Sequence, residues 1–224
     1  MARYERTPLG RRNAGVLLMI LGGALMAAAL ALALYNGWDE FRARAAAEGV
    51  VVRLEEAVPR QASSPAEDSS AIESGGEAPV QTPPRYVEFP EMEMPRIDID
   101  GHACLGVLEL PALELSLPVL AQCTDSELKY APCRYAGSVY QDDMVIAGHN
   151  YTSHFGRLRS LRQGDSVYFT DADGNRFAYT VSDLETLAPD DVADMTAGDW
   201  DLTLFTCTYG NRQRLAVRCF RTES

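Results

Sequence analysis

The sequence predicts a mostly β domain, a closed barrel or sandwich with short helices, preceded by an N-terminal transmembrane helix. Three observations carry this. An uncharged apolar stretch lies near the N-terminus. A segment rich in Ser, Pro, Glu and Gly follows it. From Tyr86 onward, short apolar runs alternate with Gly, Pro and Asp, the texture of many short strands and few helices.

The elements follow in order. Arg3, Arg6, Arg11 and Arg12 precede "NAGVLLMILGGALMAAALALALYNGW", which carries no charge. From Ala14 to Tyr35 it has 22 residues, roughly 33 Å of helix at about 1.5 Å per residue, against a hydrocarbon core of about 30 Å. The arginines should keep residues 1–12 in the cytoplasm, with 13–37 as the membrane anchor and the acidic body outside. A cleaved signal peptide is the rival, with Ala27–Ala29 as small residues for cleavage. The stretch exceeds the about 7–15 residues of a signal core, which favours a retained anchor. Residues 39 to about 58, dominated by Ala, Glu and Arg, read as a helical stalk. Residues 59–85 are poor in large apolar groups and read as a disordered tether. Residues 38–85 are thus stalk and linker, and 86–224 the folded extracellular domain. The net charge of −12 argues against a nucleic-acid partner, which needs a basic face.

Within the folded region, strands are predicted at Gly106–Leu110, Leu115–Leu120, Met144–Ala147, Val167–Thr170, Phe177–Val181, Leu202–Thr206 and Arg214–Phe220. "DADGN" (171–175) resembles a calcium loop superficially. Its Gly is misplaced and the required Glu is missing, so a hairpin turn is expected. Short helices fit "DSELKYA" and "SHFGRLRSL", the second with Phe155, Leu158 and Leu161 at helical spacing toward the core. Five cysteines occur, Cys104, Cys123, Cys133, Cys207 and Cys219, with no CxxC spacing for a zinc ribbon or redox site. Cys123 and Cys133 could bridge; the sequence does not fix the pairing.

Chemistry centres on strand ends. Of three histidines, His102 sits in a polar turn and should be solvated, and His154 opens a helix, where capping or exposure is the default. His149 ends the run "DDMVIAGHNY", where a strand leaves the core. Cys207 ends another run, and Arg214 begins the next strand after a six-residue loop. Ends of distant strands converge in a barrel. An imidazole or cation beside a thiol raises its thiolate fraction, and an arginine can donate to a developing oxyanion.

The local words sharpen this. "TLFTC" (203–207) resembles the TLxTC signature of sortases, membrane-anchored cysteine transpeptidases of Gram-positive bacteria. "VIAGHNY" resembles the segment carrying the sortase histidine, and "QRLAVRC" the strand carrying its arginine. The likeness spans about Met94 to Cys219. It implies a closed eight-stranded sortase-type barrel, with His149, Cys207 and Arg214 at the catalytic positions. Arg212 and Arg218 are nearby alternatives; Arg214 fits better at the strand start on the Cys207 side. Thr206, Tyr209 and Asn211 would contact substrate, and Tyr151 would be a rim aromatic.

The likeness also implies an LPxTG-like sorting signal on a secreted protein, a thioacyl-enzyme on Cys207, and an amine acceptor from peptidoglycan or a pilin lysine. No metal or organic cofactor is required. With reference pKa values of roughly 8.5 for Cys and 6.5 for His, a minor fraction would hold the thiolate–imidazolium pair at neutral pH. "YVEFPEMEMPRIDID" contains no Asp-Pro-aromatic lid motif, and "LAPDDVADMTAGDW" has room for about one helical turn, which fits a compact class D-like sortase. Papain-like hydrolases place Cys before His, the reverse of the order here. The alternative reading is a catalytically inactive, membrane-tethered sortase-like binding module.

Overall fold

The computed structural model describes residues 9–57, 83–208 and 212–222. Helix α1 runs Leu9–Ala57. Within it, Gly15–Trp38 is long and apolar enough to cross a membrane, with a mean hydropathy of 2.5, and its large side chains, among them Leu25, Leu34 and Trp38, are exposed. Residues 58–82, most of the expected tether, lie outside the described residues.

The folded unit is built on nine strands, β1 (Ile97–Ile99), β2 (His102–Leu110), β3 (Leu115–Leu120), β4 (Cys133–Ala136), β5 (Met144–Gly148), β6 (Ser166–Asp171), β7 (Arg176–Leu187), β8 (Leu202–Cys207) and β9 (Arg214–Arg221). Their order is β1-β2-β3-β4-β5-β8-β9-β7-β6, and β6 pairs back onto β2. Eight strands, β2 to β9, therefore close into the expected barrel, and β1 is a short arm on β2 that pairs Ile97 with Cys104. Closure removes the free edges that an open sheet would leave for aggregation.

Alternation explains why the strand sequences are apolar on both faces. Leu202 and Leu204 of β8, Met144 and Ile146 of β5, and Val217 and Cys219 of β9 fill the interior. Their neighbours Val145, Ala147, Phe205 and Ala216 form a second, outer cluster with Met195. Met195 comes from α4 (Val192–Thr196), whose first turn is capped by Asp191 accepting from the Asp194 N–H. A third cluster covers the other flank. Val50, Val51 and Leu54 of α1 pack on Ile99, Cys104, Val107, Leu120 and Cys133. Positions 50 and 54, one turn apart, share a helix face, and Arg53 pairs with Asp100.

The structure departs from the sequence reading at several elements. β1 and β4 were not anticipated, and β7 continues beyond Val181 to Leu187. A register shift at Val181/Asp183 interrupts β7, after which Asp183–Leu187 pairs with Arg214–Arg218. "SHFGRLRSL" forms turns and a single 3-10 turn at Leu158–Ser160. The Phe155 N–H donates to the His149 carbonyl and the Gly156 N–H to that of Tyr151, so these donors fold the chain back on itself and no i→i−4 ladder starts. Phe155, Leu158 and Leu161 are nevertheless buried in the core as expected. "DADGN" is a hairpin turn between β6 and β7; the buried Asp171 carboxylate accepts from the Asp173 and Asn175 N–H groups, the Asn175 side chain and the Tyr140 hydroxyl.

Two histidine expectations are corrected. His102 is half-buried and partnered: it starts β2, its Nδ1 lies 2.8 Å from Glu127, and its ring stacks on Tyr130 at 3.9 Å. His154 is fully buried, because the returning loop carries it inward, with its ring 5.5 Å from Tyr151.

Among the described residues, the segment between α1 and β1 holds one helix, α2 (Arg85–Glu88). Its Tyr86 stacks on Tyr140 at 4.7 Å and leans on Phe177. Phe177 lies at the start of β7, and Leu187 at its far end pairs with Arg214. This segment therefore docks at the end of the barrel away from Cys207.

Candidate active site

β5 and β8 run parallel, with Gly148 opposite Thr206. His149 follows Gly148 where β5 ends and Cys207 is the last residue of β8, so both lie at the same end of the barrel. β9 pairs antiparallel with β8 and sets Arg214 directly opposite Cys207. Cross-strand partners share a face, and strand alternation makes it the outer face of Phe205 and Ala216. Arg214 Nη1 donates to Cys207 Sγ over 3.0 Å.

Local packing fixes this arrangement. The Thr208 N–H donates to the Gln213 carbonyl at 2.9 Å, and the Thr208 hydroxyl donates to the same oxygen. These bonds close the β8–β9 loop and hold both strand ends in register. On the histidine side, a Cβ at Gly148 would sit 2.4 Å from Cδ2 of Phe155. Only glycine lets that ring pack across the end of β5. With the Phe155 N–H on the His149 carbonyl at 3.0 Å, the loop after β5 is pinned against the barrel. The His149 ring lies 5.0 Å from Tyr151.

A cavity of about 200 Å³ opens beside Cys207, lined by Asn150, Gly156, Arg159, Thr186, Thr206, Cys207, Thr208 and Leu215. Thr206 is buried, and its hydroxyl has no hydrogen-bond partner among the described residues. A buried hydroxyl left this way costs free energy. Arg159 adds a cationic side chain that the sequence reading passed over; the only signal for it was the arginine pair in "GRLRSL". Tyr209 and Asn211 lie outside the described residues.

The alternative arginines are placed elsewhere. Arg212 is exposed. Arg218 is buried, and its Nη1 donates to the Met195 carbonyl and the Thr203 hydroxyl, its Nη2 to the Asp194 carbonyl and its Nε to Glu185. Those bonds fasten α4, in the β7–β8 connection, onto β8 and β9. The Cys104 and Cys219 thiols are also buried. Burial pushes Cys104 up to about 11 and Cys219 up to about 12, values at which a thiol is inert near neutrality. Among the described residues, no group of three or more His, Cys, Asp or Glu side chains is gathered as for a metal ion.

A family model for the sortase domain matches residues 108–222, just over half of the 224. The chain belongs to the sortase family. It is 27% identical to sortase A of Bacillus anthracis over 129 residues, which cover 54% of this sortase and 60% of that protein; the chain thus spans less than two thirds of that relative's length. Among solved structures it is similar to Streptococcus pneumoniae sortase C, with 24% identity, 57% of this chain and 72% of that one covered, and a TM-score of 0.49. Clostridium perfringens sortase C, solved with the C-terminal cell wall sorting motif, gives 26% identity, 58% and 74% coverage and a TM-score of 0.49.

Proposed function

We propose that this sortase is a cysteine transpeptidase that cleaves an LPxTG-like sorting signal and passes the protein to an amine of the cell wall or of a pilin. The observation that carries the reading is the 3.0 Å contact from Arg214 to Cys207 Sγ at the mouth of a cavity. A guanidinium beside sulfur favours the thiolate, and its remaining N–H donors suit an oxyanion.

In this reading the Cys207 thiolate attacks the carbonyl carbon of the Thr–Gly-type bond. Arg214 donates to the oxygen of the tetrahedral intermediate. His149, as imidazolium, protonates the departing amine, leaving a thioester on Cys207. The acceptor amine then attacks that thioester, His149 takes its proton as base, and the thiolate is released. Thr206, which lines the cavity, contacts the bound signal.

Residues 13–37 serve as the anchor, with residues 1–12 cytoplasmic and the barrel on the extracellular face; the apolar Gly15–Trp38 segment supports this. The compact class D-like assignment is supported by the five-residue α4, which leaves the β7–β8 connection without a long helix, and by the docking of Tyr86 away from Cys207.

The test is product analysis with a pool of LPxTG-variant peptides, with and without a small amine. Peptide–amine product from wild type, absent from Cys207→Ala and His149→Ala, is expected. Hydrolysis unaffected by amine would replace the transpeptidase with a hydrolase. No turnover by a folded protein would leave the binding-module reading.

A further inference from the structure

Two thiols outside this site lie against each other. The chain leaves β3 at Leu120, forms α3 (Asp125–Tyr130), and returns to pair Cys133 with Leu120. The Leu120 N–H donates to the Pro132 carbonyl at 2.9 Å. Exit and return are therefore one strand spacing apart, which brings the Cys123 and Cys133 thiols close enough to interact.

The two environments are opposite. Cys133 is buried against α1 and β2, and its Sγ donates to the Ala131 carbonyl at 3.2 Å. Cys123 is exposed and lines a cleft of about 650 Å³ with Met92, Glu93, Arg134 and Tyr135. Interaction with Cys133 lowers the Cys123 pKa, against opposing effects of burial and the Asp125 charge; the same interaction, with burial, raises that of Cys133. One sulfur is thus reachable and thiolate-prone, and the other is sheltered beside it. No other pairing competes for Cys133. Cys104 pairs with Leu120, which in turn pairs with Cys133. That places Cys104 two strand spacings away, about 9–10 Å, beyond disulfide reach.

We propose that Cys123 and Cys133 are a modification site, oxidised to a reversible intramolecular disulfide by exchange with a small-molecule or protein disulfide. The Cys123 thiolate attacks the oxidant's S–S bond, which breaks and releases one thiol, giving a mixed disulfide. Cys133 then loses its proton and attacks Cys123 Sγ, expelling the second thiol. Two protein thiols are oxidised and the oxidant is reduced to two thiols. The new bond closes a loop around α3 and ties the exit of β3 to β4. It does not depend on the transpeptidase reading.

The test is the full chain in detergent micelles, incubated with oxidised glutathione, alkylated and mapped by peptide mass spectrometry. A Cys123–Cys133 cross-linked peptide lighter by two hydrogens, reversed by dithiothreitol, is expected, with a thermal midpoint higher by roughly 5–10 °C. In Cys133→Ser, glutathione should remain on Cys123; in Cys123→Ser, Cys133 should stay alkylatable only after unfolding. The proposal is overturned if wild type keeps both thiols free, if glutathione persists on Cys123, or if Cys123 links to Cys207 or to a second chain.

Discussion

Arg214 and Cys207 are cross-strand partners, with Nη1 donating to Sγ over 3.0 Å at the closed end of the β8–β9 hairpin. The contact is made by backbone register, so it does not need a flexible side chain to search for its partner. Replacing the arginine should affect chemistry far more than folding. Arg214→Ala is expected to lower kcat/KM by about 10²–10³-fold, the cost of removing an oxyanion donor, while the thermal midpoint stays near wild type. A large loss of stability with unaltered kcat/KM per folded molecule would contradict this.

Gly148 precedes His149 and faces the Phe155 ring at a distance no Cβ can occupy. Gly148→Ala is expected to destabilise the fold by about 1–3 kcal/mol through overpacking and to reduce activity by moving His149. Phe155→Leu in the same chain should restore part of both, because it clears the space the methyl needs. Denaturant titration and turnover of the single and double variants check this; equal stability of Gly148→Ala and wild type would refute it.

The barrel was legible where strands are covered on both faces. "LTLFTC" and "MVIAG" read as strands because interior and outer cluster both demand apolar groups. β4 was not legible: "CRYA" has four residues between Pro132 and Gly137, and its pairing comes from β5 and from the single bridge to β3. The end of β7 was hidden by Ser182 and Asp183 at a bulge that only β9 explains. At the site, the words around His149, Cys207 and Arg214 were visible, whereas the burial of His154 and the approach of Arg159 arise from a returning loop whose hydrogen bonds are not local in sequence.

Arg218 fastens the β7–β8 connection through two α4 carbonyls, Thr203 and Glu185. Arg218→Met keeps the stem but leaves those acceptors without a donor. We expect a loss of about 2–4 kcal/mol, and faster proteolysis within 188–201 than elsewhere in the barrel. Cleavage at the wild-type rate in that segment would show that the clamp is dispensable.

Cys219 is buried in the barrel with its pKa pushed from 9.0 up to about 12 by burial. The folded state therefore holds a proton that the unfolded chain releases near pH 9. Stability is full below that pH and falls as pH rises toward 12. Cys219→Val removes this proton linkage and should flatten the fall between about pH 9 and 11 in denaturant titrations. An identical slope in both proteins would exclude Cys219 as its source.

The most direct test of the central claim is intact-mass spectrometry of the full chain incubated with an LPxTG-type peptide and no added amine. A covalent adduct equal in mass to the acyl half of the peptide, located on Cys207, absent from Cys207→Ala and discharged by a small amine into a peptide–amine product, is the predicted result. A folded protein that forms no adduct, or one carried on another cysteine, would contradict it.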